Sequence, residues 1–199
     1  GWVSEETEDN YSRFKSDSFW CLDPIDGTRS YISGKPEYTI SLALIKKKEP
    51  ILGLILNPET EELFVAKKQK GAFCNNKKII VNKNTNISSS KFSISSSEMK
   101  KLEKYNFFNQ KNFIEMGSIA YKIALVAKGE IDAAFSFTNK NDWDLAASDL
   151  ILREAGGSIK KISGEKIVYN SEKMLIESVI ASNQKLCEKL CIKFNEHHS

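Results

Sequence analysis

The chain has 199 residues, 41% hydrophobic and 28% charged, with a formal net charge of +3. These proportions belong to a globular domain with one sizeable core, and they exclude a disordered or fibrous chain. The small net charge and dispersed lysines argue against a nucleic-acid polymer as partner, and no apolar run reaches the roughly 18 residues of a membrane span, which places the chain in the cytosol.

Residues 19–22 form an apolar run that predicts a buried strand ending at Asp23. Residues 38–45 are rich in strand formers and partly alternating, and 46–50 predict a turn. A second apolar strand over 51–56 is stopped by Asn57 and Pro58, and 62–66 and 71–74 predict two more. Short turns between them predict an antiparallel meander. The polar stretch 82–90 predicts a surface loop or a boundary between two halves. Beyond it, 92–96 predicts a strand and 97–105 a short polar helix. A helix over 119–128 carries Ile119, Ile123, Val126 and Ala127 at helical spacing and stops at Gly129. A strand over 131–137 precedes a helix over 144–155, which starts at Asp144, carries Leu145, Leu150 and Ile151 on one face, and ends at Gly156 and Gly157. A strand over 178–181 and a helix over 184–194 close the chain. Strands first, then helices alternating with strands, predict a layered α/β sandwich, one domain over 1–199 with halves at 1–90 and 91–199.

The cysteines Cys21, Cys74, Cys187 and Cys191 have no disulfide-framework spacing, which suggests a reducing compartment. Cys187 and Cys191 lie one helical turn apart, and His197 and His198 follow. They read either as a zinc site or as a terminal amphipathic helix with a polar tail. The chain begins with Gly1 rather than Met, and we expect a missing N-terminal piece.

The chemistry concentrates in Asp23-Pro24-Ile25-Asp26-Gly27-Thr28-Arg29. Paired carboxylates collect a hard divalent cation such as Mg²⁺. Free amides at a turn collect phosphate. Further carboxylates lie at Glu5-Glu6 and at Asp142 and Asp144 beside Trp143. Each has a plain reading as solvated surface, helix cap or turn. A charge on Asp23 at the end of a buried strand, however, needs a partner or a metal. Cys21 reads as a strand residue and not as a nucleophile.

Trp20-Cys21-Leu22-Asp23-Pro24-Ile25-Asp26-Gly27-Thr28 resembles the first motif of the inositol monophosphatase superfamily. Asp142-Trp143-Asp144-Leu145-Ala146-Ala147, running to Gly156-Gly157, resembles the second, and Ser4-Glu5-Glu6-Thr7 the upstream metal-binding segment. The resemblance implies an αβαβα sandwich of the inositol monophosphatase and fructose-1,6-bisphosphatase type, here truncated at the N-terminus. It implies two or three Mg²⁺ ions on Glu5, Asp23, Asp26, Asp144 and the Ile25 carbonyl. It assigns Gly27 and Thr28 to the phosphate, and Glu5, Asp26 and Thr28 to the catalytic machinery, with Thr28 and Glu5 orienting the attacking water. Asp144, Gly117 and Ser118 would touch the substrate, although Gly117 and Ser118 read equally as a turn and helix cap. The implied partner is a small phosphorylated molecule, and a homodimer is compatible with it.

Arg29 after the Gly-Thr, and the strand Tyr38-Thr39-Ile40 running to Ala43-Leu44-Ile45, are similar to the 3′(2′),5′-bisphosphate nucleotidase branch. Arg29 would meet a second phosphate or lie on the surface, and Tyr121 and Lys122 would serve a nucleotide or simply be helix residues. The other readings are an inositol-phosphate or other small-molecule phosphatase, and an inactive fragment or interaction module. If helices that usually precede this region are missing, the sheet face they cover is exposed and apolar.

Overall fold

The structure is a computed structural model and describes residues 1–198, the side chain of His198 excepted. The first part of the chain winds into β1 (Trp2–Ser4), β2 (Ser18–Asp26), α1 (Thr28–Ile32), β3 (Thr39–Lys46), β4 (Glu49–Asn57), β5 (Glu62–Lys67), β6 (Ala72–Cys74) and β7 (Lys77–Lys78). These strands form one sheet in chain order. From β2 to β7 every pairing is antiparallel, the expected meander, whereas β1 lies parallel to β2. The turn between β3 and β4 is tighter than expected. Lys47 and Lys48 both take positive φ, 50° and 64°, which matches the twist of a two-residue hairpin turn. Pro50 therefore falls inside β4, near its start.

The remaining elements are β8 (Phe92–Ile94), β9 (Phe113–Glu115), α2 (Ile119–Lys128), β10 (Ala133–Ser136), β11 (Lys140–Asn141), α3 (Asp142–Glu154), β12 (Gly157–Lys161), β13 (Leu175–Ile176), β14 (Val179–Asn183) and α4 (Gln184–His198). A second sheet takes the order β12-β14-β10-β8-β9, and β11 pairs with β13 apart from it. The polar helix expected over 97–105 is a 3₁₀ helix over Ser96–Leu102. Helix α2 is bounded by local chemistry: the Ser118 hydroxyl accepts from the Tyr121 N–H at 3.0 Å, and Gly129 closes it at φ 80°.

Strand alternation sorts the core into two layers. On β14, Val179 and Ala181 join the core shared by α2, α3 and the first sheet, while Ile180 joins the aromatic-rich core under α4. The described layers are thus sheet, helix pair, sheet, helix. The outer face of the first sheet has no covering layer among the described residues. Trp20, Leu22, Leu42, Leu44, Leu54 and Leu56 are half-buried there, and Ile40 and Leu63 are 40% and 39% exposed. Among the described residues no helix is long and apolar enough to cross a membrane.

The inner face of the sheet is built for close approach. A Cβ at Gly53 would lie 2.8 Å from the Ala147 carbonyl oxygen and 3.1 Å from its Cα, so α3 seats directly on the β4 backbone. Gly53→Ala is expected to destabilise the fold by about 1–3 kcal/mol through this overpacking. Urea unfolding of the two proteins measures it.

Candidate functional site

In a regular strand, residues three apart point to opposite faces. Asp23 and Asp26 do not, because the β2–β3 register shifts between them, and both side chains are buried. Pro24 and Ile25 occupy the irregularity, which the Asp23 carboxylate stabilises by accepting the Ile25 N–H at 2.9 Å. Gly27 follows at φ 88°. A Cβ there would meet the Glu37 carbonyl oxygen at 2.8 Å and the Ser118 Cβ at 3.0 Å, so only glycine fits.

Asp26 is held from the start of α2. Its Oδ2 accepts the Ser118 hydroxyl at 2.5 Å and the Ala120 N–H at 2.7 Å. Asp144 enters from the first turn of α3, where it accepts the Asn141 N–H at 2.6 Å as half of a capping box. Asp23, Asp26 and Asp144 converge, each offering an oxygen within 4.8 Å of the others. Buried carboxylates grouped this closely are the donor set of a hard divalent cation.

Their electrostatics say the same. Burial first, and then the charges of Asp26, Glu5 and Asp144, lift the Asp23 carboxyl from its ordinary 3.8 to about 9. Burial and the Asp26 charge raise Asp144 to about 7. Asp26 is also raised, burial outweighing its hydrogen bonds. Such shifts mark negative charge with too little compensation, which a cation would supply.

Through Asp26 the trio meets a cavity of about 540 Å³ lined also by Glu5, Gly27, Thr28, Arg29 and Gly117, among others. Glu5 lies on its rim, exposed and outside the tight trio. Thr28 donates its hydroxyl to the Ile25 carbonyl at 3.0 Å. Ser118 is fully buried and spends its hydroxyl on Asp26 and the α2 cap, so it bears on the cavity through Asp26. Gly117 packs against Ser30, whose Oγ would sit 2.1 Å from an added Cβ.

The cavity lining also includes residues the sequence reading did not single out: Lys35, Ser95, Glu98, Thr138 and Lys140. Lys140 lies two residues before the second motif. Lys122 lines the cavity too, 1% exposed, with no hydrogen bond or ion pair among the described residues, and burial lowers it to about 8. Its neighbour Tyr121 points away and donates to Glu62 at 2.5 Å. Cys21 is buried in β2, and burial pushes its thiol up, as for an inert strand residue. Cys187 and Cys191 are buried free thiols in the core under α4; the His198 side chain of the zinc reading lies outside the described residues.

A bulged strand that brings two carboxylates to two helix starts marks an α/β sandwich whose grouped carboxylates could hold a metal. The chain belongs to the inositol monophosphatase family, whose model matches residues 2–199. It is 31% identical over 181 residues to an inositol monophosphatase of Dictyostelium discoideum, covering 86% of this chain and 66% of that protein. It is 32% identical over 158 residues to a fructose-1,6-bisphosphatase/inositol-1-monophosphatase of Thermotoga maritima, covering 76% and 60%. The solved structure of a Thermotoga maritima IMPase superposes with a TM-score of 0.84 at 28% identity, covering 99% of this chain and 74% of that one. The chain thus spans about two thirds or less of the length of these two curated relatives.

The raised carboxyls have a measurable consequence. Between the ordinary value of 3.8 and the raised values of about 9 and about 7, the folded state binds more protons than the unfolded one. Their contribution to stability is therefore present at acid pH and lost as pH rises through that window. Metal-free Asp23→Asn is expected to gain stability relative to the parent chain progressively as pH rises, and to show a smaller stabilisation by Mg²⁺. Thermal unfolding with and without Mg²⁺ checks both.

Proposed function

We propose that this chain forms the catalytic part of a Mg²⁺-dependent phosphomonoesterase acting on a 3′(2′),5′-bisphosphate nucleotide, converting 3′-phosphoadenosine 5′-phosphate to AMP and phosphate. The observation that carries the choice of substrate is Lys122: an ammonium 1% exposed, near the charges of Glu98 and Asp26 but with no hydrogen bond among the described residues, in the cavity that Asp26 lines. A buried charge without a hydrogen bond is costly, and a second phosphate on the leaving group would offset that cost.

Asp23, Asp26, Asp144, Glu5 and the Ile25 carbonyl hold the cation. Bound divalent cations supply charge neutralisation of the ester and a water of lowered pKa. Thr28, with Glu5, orients the attacking water, and Gly27 and Thr28 receive the phosphate at the turn after β2. Ser118 fixes the Asp26 carboxylate, and Gly117 shapes the wall beside it. Arg29, exposed at the cavity, meets the second phosphate together with Lys122.

A second reading, hydrolysis of an inositol phosphate, is favoured by the name of the Dictyostelium relative. Phosphate release from 3′-phosphoadenosine 5′-phosphate and from inositol 1-phosphate, with Mg²⁺ present or chelated, separates the two. Magnesium-dependent preference for the nucleotide is expected. Equal or faster release from the inositol ester overturns the nucleotide reading, and release from neither favours another phosphate ester or an inactive fragment.

Asp144→Asn is expected to lower kcat by about 10²-fold or more on either substrate. Lys122→Met should raise KM for the bisphosphate by about 10-fold, the worth of one hydrogen bond to a charged group, and leave inositol 1-phosphate unaffected. Steady-state kinetics on both substrates reads the split.

A further inference from the structure

Glu5 stands on a loop over residues 5–12, exposed for most of its length. Its charge still raises the Asp23 and Asp144 carboxyls, so it lies within electrostatic reach of the trio. The loop is fixed at two ends. At one, Ser4 is buried in β1, and the Glu5 N–H donates to the Leu22 carbonyl at 3.3 Å. At the other stands Arg13, which is 0% exposed.

The Arg13 guanidinium is engaged on every side. Nε donates to Asp9 at 2.8 Å within the loop. Nη1 donates to the Asn170 side chain at 2.6 Å and to the Ser171 carbonyl at 2.9 Å, and Nη2 donates to the Glu172 carbonyl at 2.9 Å. Its carbon lies 4.0 Å from the centre of the Phe14 ring. Asn170 in turn donates its backbone N–H to Asp142 at 2.6 Å, two residues before Asp144. One side chain thus ties the loop that carries Glu5 to the turn that braces the start of α3.

We propose that Arg13 is a positioning residue that sets divalent-cation affinity by holding the Glu5 loop against the start of α3. The inference rests on the reading that these carboxylates hold a cation. Arg13 touches neither the trio nor the cavity lining, so it acts through Glu5. A planar fork spanning three acceptors across the chain is a task a lysine cannot copy.

Calorimetric titration with Mg²⁺ alone, without substrate, tests it on the parent chain, Arg13→Gln, Glu5→Gln and the double variant. Each single change is expected to weaken Mg²⁺ affinity about 10-fold, as for other residues that orient ligands. The double variant should bind no more weakly than Glu5→Gln alone, because both changes remove the same arm. Arg13→Lys should behave like Arg13→Gln. Additive losses, or unchanged affinity in Arg13→Gln, would falsify the inference while leaving the cation reading standing. No Mg²⁺ binding by the parent chain would remove both. If Arg13→Gln does not fold, Asn170→Gly takes its place in the same cycle. It removes one acceptor and suits the left-handed backbone there, φ 57°.

Discussion

Three carboxylates held within a few ångströms inside a protein repel one another and lose their hydration, and the architecture of this chain is arranged around that constraint. The fold answers with helix starts. Asp26 receives the Ala120 N–H and the Ser118 hydroxyl from the beginning of α2, and Asp144 is itself in the first turn of α3. The orphan N–H groups and positive dipole end of a helix favour negative charge there. The compensation is partial, since all three carboxyls stay raised. A divalent cation would supply the compensation that the helix starts leave incomplete.

Bringing two helix starts to one strand irregularity requires unusually close packing, and small residues appear where the layers meet. Gly53 lets α3 lie against β4, Gly27 lets the turn after β2 pass under Ser118, and Gly117 leaves room for Ser30. None of these positions tolerates a Cβ without displacing a neighbour. Packing and chemistry are therefore one problem: the contacts that close the core also set the distance between Asp26 and Asp144.

The long, regular elements were legible in the sequence because period and burial agree in them. Strands β2 to β5 and helices α2, α3 and α4 follow apolar patterns that hold for several residues. Strands β1, β7, β9, β11 and β13 did not show, since two or three residues carry no period and their pairing is set by tertiary contacts, and the five-residue β12, with only Ile159 apolar, did not show either. The convergence of the trio's carboxylates was implied by the family resemblance and not by their spacing, because it depends on the register shift between Asp23 and Asp26. Ser118 read as a cap or a substrate contact, and it caps α2 while also binding Asp26, 92 positions away in the chain. Arg13 gave no signal at all. Its partners Asn170, Ser171 and Glu172 lie more than 150 residues away, and three of its four hydrogen bonds go to them.

The proposed choice of substrate turns on charge in the cavity more than on its size. The lining carries the carboxylates Glu5, Asp26, Glu37, Glu98 and Glu115 together with the cations Arg29, Lys35, Lys122 and Lys140. Lys122 has little access to water, being 1% exposed, and burial already lowers it to about 8. Glu98 stands nearby and raises it, yet spends its own oxygens on Ser95, Ser136 and the Phe137 N–H, so Lys122 keeps an open donor toward the cavity. A ligand with a second anion would favour the charged form of Lys122, so its affinity would fall as Lys122 deprotonates. The proposed bisphosphate substrate thus rests on where one ammonium is buried.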